Sequence, residues 1–180
     1  MGSGQYIQNR FITRFNITSL ILEADFLTPY DIILQDVKGR FEYFAGDIGF
    51  GYDVLNKSNV NLFVLGGFKF IYMYIGLKTT VLGSYPIEGE RSKWFTDTMI
   101  GIYIRYRPTK RLELNGYGDI GFILGDEVTA QLIGEANFFI TPWFYVAGGY
   151  RYWYLNVPKE EAIYNGQITG SVVKIGFQIH

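Results

Sequence analysis

Apolar and polar residues alternate along most of this chain with a period of two. Between Trp94 and Tyr106 one face carries Trp94, Thr96, Thr98, Ile100, Ile102, Ile104 and Tyr106, and the other Phe95, Asp97, Met99, Gly101, Tyr103 and Arg105. Residues 112–124 and 127–140 repeat the pattern: Leu114, Ile120 and Phe122 oppose Glu113, Asn115 and Asp119, and Leu132, Ala136 and Phe138 oppose Glu127, Gln131 and Glu135. Strict alternation over such lengths predicts β-strands with one dry and one wet face. Weaker versions run through 11–22, 41–52, 60–77, 144–155 and 167–179, for a total of about eight strands of about ten residues or more. The predicted fold class is all-β: an eight-stranded antiparallel up-and-down transmembrane β-barrel.

The punctuation between strands is uneven. Asn56-Lys57-Ser58-Asn59, Arg107-Pro108-Thr109-Lys110-Arg111 and Thr141-Pro142-Trp143 are short and polar or proline-bearing, as tight turns require. The connections at the opposite ends, 23–40, 80–93 and 156–165, read as long loops, with Gly125-Asp126 as a tight hairpin among them. Residues 1–4, Met-Gly-Ser-Gly, read as a leader and residues 5–180 as one barrel domain.

A half-apolar strand suits either a soluble sheet or a membrane barrel. Three features favour the barrel. The strands are long against a usual five or six residues. Aromatic side chains gather at the ends of the apolar faces: Tyr52, Tyr72, Tyr74, Trp94, Tyr106, Trp143, Phe144, Tyr152 and Tyr154. Such rings form a girdle at headgroup depth, wet at one edge and dry at the other. The polar faces carry charges of both signs, an interior network of Arg14, Asp47, Lys69, Asp97, Arg105, Glu113, Asp119, Glu127, Glu135, Arg151 and Lys174. Inside a barrel of about eight strands, side chains fill the lumen, and these charges must pair.

On these residues the chain resembles the small eight-stranded outer-membrane β-barrels of Gram-negative bacteria. The resemblance covers residues 9–180. It rests on the meander, the short turns such as 107–111, the segment Gly148-Gly149-Tyr150-Arg151-Tyr152, and the alternating final strand from Val173 to Ile179. It implies short turns on the periplasmic side and long loops outside, an outer-membrane location and delivery by the outer-membrane assembly machinery. The family usually ends on an aromatic residue, whereas this chain ends Ile179-His180.

Composition narrows the chemistry. Sixteen Lys and Arg against 17 Asp and Glu leave a net charge of -1, so nucleic acid is not an expected partner. Cysteine is absent and the single histidine is His180, which removes thiolate chemistry and leaves Ser19, Ser58, Ser84, Ser92 and Ser171 without an internal histidine base for lipid hydrolysis. Asp97, Asp119, Glu113 and Glu135 could form a glycosidase pair, but Arg105, Arg151 and Lys174 share their faces, so a charge-balanced plug is favoured. Glu88-Gly89-Glu90-Arg91 and Lys159-Glu160-Glu161 read as solvated loop tips rather than a cation site, and Gly49-x-Gly51 precedes no helix and is no phosphate loop. The expectation is a non-enzymatic barrel of structural or interaction type without cofactor or metal. It is a monomer with membrane lipid or detergent as its partner, and at most a narrow pore, porin-like only in architecture. Two alternatives stand beside it: a designed transmembrane barrel or nanopore scaffold, and a soluble up-and-down barrel carrying an apolar ligand.

Overall fold

The computed structural model describes residues 2–26, 34–81, 85–122, 128–156 and 166–178. Nine strands make one antiparallel sheet in which each pairs with its chain neighbours: β1 (Gly2–Gln8), β2 (Phe11–Phe26), β3 (Leu34–Asp53), β4 (Val60–Val81), β5 (Tyr85–Thr109), β6 (Leu112–Phe122), β7 (Val128–Phe139), β8 (Phe144–Asn156) and β9 (Gly166–Phe177). The ladder that would close the sheet into a barrel is not present among the described residues. The all-β class and the antiparallel up-and-down order are those the alternation predicts.

The strand count is not. β1 is the additional strand, and it takes in Gly2 to Gly4 of the segment read as a leader, in register with Ile17 to Phe15 of β2. Its sequence, Gly-Ser-Gly-Gln-Tyr-Ile-Gln, has little alternation to detect, because a ladder is held by backbone groups that any residue supplies. The hairpin closes at Asn9, whose φ of 56° lies in the left-handed region that asparagine tolerates.

The long loops expected at 23–40 and 80–93 are also largely strand. β2 pairs with β3 out to Phe26↔Val37, and β4 with β5 out to Val81↔Tyr85. Most described side chains of these hairpin ends are exposed whichever face they lie on, so the apolar alternation stops while the ladder continues. Cross-strand charges mark them instead: Arg40 lies 3.4 Å from Glu23, and Lys78 lies 2.9 Å from Glu88. The Glu88-Gly89-Glu90-Arg91 run is therefore part of β5, not a loop tip. The Gly125-Asp126 hairpin, the Lys159-Glu160-Glu161 run and Glu127 lie outside the described residues. At the other end the turns are short. Lys57 and Val60 exchange backbone hydrogen bonds, and Thr141 Oγ1 accepts from the Phe144 amide at 3.0 Å.

The sheet is strongly curled, since side chains from distant strands meet on its concave face. Tyr43 of β3 packs on Trp153 of β8 with ring centroids 4.8 Å apart. Arg151 of β8 donates to Thr18 of β2, and Lys174 of β9 donates to Ser3 of β1 at 3.1 Å. No ladder joins β1 to β9 among the described residues. The concave face holds two apolar clusters. One comprises Tyr43, Ala45, Ile71, Met73, Phe95, Trp153 and Leu155; the other comprises Ile12, Phe63, Leu65, Tyr103, Tyr117 and Ile133. The convex face carries the exposed apolar set, including Phe15, Ile17, Phe50, Phe68, Ile100, Ile102, Ile120 and Leu132.

Two glycine pairs permit the tight curl. A Cβ on Gly67 would sit 2.0 Å from the Ile48 carbonyl oxygen, and one on Gly149 would sit 2.4 Å from that of Gly134, whereas Gly66 and Gly148 face open space. The second glycine of each pair lets the neighbouring strand's backbone approach from the concave side. Gly67→Ala and Gly149→Ala are each expected to destabilise the fold by about 1–3 kcal/mol, and Gly66→Ala and Gly148→Ala to be near neutral. Urea unfolding of the four variants, followed by tryptophan fluorescence, checks this; equal effects within a pair would refute it.

Candidate functional site

The chemistry-bearing side chains of this chain converge on the concave face, because every second residue of each strand points there. Between the two apolar clusters lies a charged layer. Lys69 of β4 pairs with Asp119 of β6, both almost wholly buried. Lys69 Nζ also reaches Thr129 Oγ1 at 3.5 Å, and Thr129 donates to Asp97 at 2.9 Å. One ammonium thus sits between two carboxylates, with a threonine hydroxyl as the relay to the second. Beside it, Asn16 Nδ2 donates to Asp47 at 2.8 Å, and Arg151 donates to Thr18 and Gln131.

Toward the short turns a second polar layer lies outside the Ile12–Ile133 cluster. Arg107 donates to Glu113 from Nε and Nη2 at 3.1 and 2.5 Å, and Glu113 also accepts from Asn115 and Asn137. Arg105 donates twice to Asn61 Oδ1, and Asn61 Nδ2 passes a hydrogen bond to Asp53 at 2.6 Å. Lys174 pairs with Glu135. Arg14, between the two layers, lies against the faces of Tyr117 and Tyr103, its guanidinium carbon 3.6 and 5.6 Å from the ring centroids.

The structure therefore places Arg14, Asp47, Lys69, Asp97, Arg105, Glu113, Asp119, Glu135, Arg151 and Lys174 on the concave side, in two layers rather than one network. Arg107, Asp53 and the amides Asn16, Asn61 and Asn137 complete these layers and were not among the candidates. Arg107 and Asp53 have the strand parity of Arg105 and Asp47, which is the signal the sequence offers for them; Pro108, next to Arg107, reads as a turn and hides that parity.

The candidate aromatic residues lie on the convex face in two sets. Toward the long hairpins are Tyr72, Tyr74, Trp94, Tyr152 and Tyr154, with Tyr72 and Trp94 at 4.8 Å. Toward the short turns are Tyr52, Tyr106, Trp143 and Phe144. Two residues outside the candidate set join this second group: Phe177 stacks on Trp143 at 5.9 Å, and Phe11 meets Tyr52 edge-on at 5.3 Å. On the outlying hairpin ends, Glu90 accepts from Tyr74 and raises its phenol above the ordinary tyrosine value, and Glu88 does the same for the Lys78 ammonium.

Chemically, the arrangement neutralises charge. Among the described residues no His, Asp and Glu side chains form a group of three suited to a metal ion. The sequence matches no protein-family model and no curated protein.

The middle layer depends on Lys69. Lys69→Met leaves Asp119 and Asp97 buried without a cation and is expected to cost about 3–5 kcal/mol. Lys69→Met combined with Asp119→Leu should cost less than Lys69→Met alone, since one uncompensated carboxylate is then gone. A double-mutant cycle from urea unfolding measures the coupling, and additive effects would show that the pair is not energetically linked.

Proposed function

We propose that the chain is an integral outer-membrane protein, a non-enzymatic transmembrane β-barrel of structural or interaction type with a side-chain-filled interior. The observation that carries this reading is the inversion of the two faces. Buried positions of the concave side include Arg14, Asp47, Lys69, Asp97, Glu113 and Asp119, while Ile100 and Ile102 are each 56% exposed on the convex side and Leu132 is 61%. A contiguous apolar surface spread over successive strands is costly in water and natural in lipid.

Its height fits as well. The twelve residue steps from Trp94 to Tyr106 span about 40 Å at about 3.3 Å per residue. At a tilt of about 40° that is about 30 Å along the normal, the thickness of a bilayer's hydrocarbon core. The two aromatic sets then fall at the two interfaces. The charged β2–β3 and β4–β5 hairpin ends would project beyond the membrane as the surface for contacts. A soluble carrier of an apolar ligand would need the reverse, an apolar lumen and a polar outside. The buried middle layer and the two apolar clusters support a filled interior over a wide channel.

Native-like folding is expected only with detergent or lipid, with heat-modifiable migration on gels; a monodisperse detergent-free monomer would refute the reading. Ile102→Arg should block insertion into vesicles, since an Arg near the midplane costs about 2–4 kcal/mol. Ile87→Arg, on the hairpin end and 54% exposed, should insert normally. Equal insertion of both variants would show that the belt is misassigned.

A further inference from the structure

The concave face is not filled along its whole length. Toward the short turns a cavity of about 1100 Å³ is bounded by residues of β1, β2, β5, β6, β7, β8 and β9. Its charged lining is Arg14, Arg105, Arg107 and Lys174 against Glu113 and Glu135, four cations and two carboxylates. Arg107 and Lys174 are paired with those carboxylates. Arg105 is answered at one remove, through Asn61. Arg14 has no carboxylate oxygen within 4.0 Å among the described residues.

Arg14 is the informative residue. It is 6% exposed, and its Nη1 is buried without a hydrogen-bond partner. An unmade hydrogen bond on a buried charged group is costly, and the two tyrosine faces offset only part of that. A guanidinium fork held against an aromatic ring is preorganised for two oxygens of one carboxylate or phosphate.

The cavity also reaches sideways. Consecutive residues line it, Gly2 to Ile7 on β1 and Val173 to Phe177 on β9, with Gln178 just beyond. A void on one face of a strand touches alternate residues, so contact with successive ones means that the edges of β1 and β9, which no ladder joins among the described residues, border it. On the outer side of that seam stand Val173, Ile175 and Phe177, 86%, 73% and 64% exposed.

We propose that this cavity is a binding site for an anionic group, a phosphate or a carboxylate, held by Arg14 with Arg105 at its side. The seam between β1 and β9 gives that group a lateral entrance whose apolar rim suits the tail of an anionic membrane amphiphile. The lipid source rests on the membrane reading above; the site's selectivity for an anion does not.

The test uses the full chain folded in a neutral detergent and titrated by calorimetry with three probes: inorganic phosphate, dihexanoyl phosphatidic acid and dihexanoyl phosphatidylcholine. Phosphatidic acid is expected to bind and phosphatidylcholine to bind at least tenfold more weakly. Arg14→Gln should weaken phosphatidic acid at least tenfold, Arg105→Gln severalfold, and Lys57→Gln, on a turn outside the cavity, not at all. Binding of inorganic phosphate as tight as that of phosphatidic acid, with the same dependence on Arg14, supports the site and assigns it to soluble anions. Should Arg14→Gln lose its heat-modifiable band, Arg14→Lys and Arg105→Gln decide the matter. Binding of neither anion, or affinities unchanged in the folded Arg14 and Arg105 variants, overturns the proposal. If the chain proves soluble without detergent, the phosphate titration alone is decisive.

Discussion

Charge placed on the concave face of a curled sheet must be answered by side chains of that same face, from neighbouring strands or from across the interior. That constraint organises this molecule. Lys69 and Asp119 come from strands two apart in the sheet, and Arg151 reaches from β8 to Thr18 on β2. The second of these links requires the sheet to curl until its distant strands face one another. The concave glycines at 67 and 149 supply the curvature, and the aromatic and aliphatic clusters on either side of the charged layer exclude the water that would otherwise screen it. Packing and electrostatics are therefore not separable here. The apolar layers make the ion pairs strong and an unpaired charge expensive, and the ion pairs fix which strands oppose which.

The same constraint accounts for the contrast between the two ends of the interior. Toward the long hairpins, Trp153, Tyr43 and Phe95 close the lumen with large rings. Toward the short turns the inward residues are longer and charged, and they line walls rather than fill the centre. One end is a packed core and the other a polar vestibule, so the molecule has a direction built into side chains that all stem from one repeated strand pattern.

Much of this was legible in the sequence, for a physical reason. Where a strand separates two environments, parity encodes facing, and Trp94 to Tyr106 or Leu112 to Phe122 could be assigned residue by residue. Where both faces see the same solvent, parity carries nothing. Residues 23–26 and 85–93 therefore read as loop although their ladders continue, and β1, half glycine and polar, left no trace. The partners of the charges were less legible than their facing. Parity places Asp97 and Asp119 on the same side but cannot say that Lys69 pairs with one directly and reaches the other through Thr129. That depends on curl and register, which are long-range properties. Asn61, which carries the charge of Arg105 to Asp53, is ordinary as a sequence feature and acquires its meaning from a neighbour on another strand.

The number of strands has a geometric consequence of its own. In a meander every strand reverses the direction of the one before, so with nine of them β1 and β9 run the same way. Zipping these two edges together would make the one parallel ladder in an otherwise antiparallel sheet, with slanted and slightly weaker bonds. A single further strand of opposite sense would match both edges at once and restore an even count. Among the described residues the line between β1 and β9 is thus the place where the symmetry of the sheet is broken and where no ladder takes up its backbone hydrogen-bonding groups.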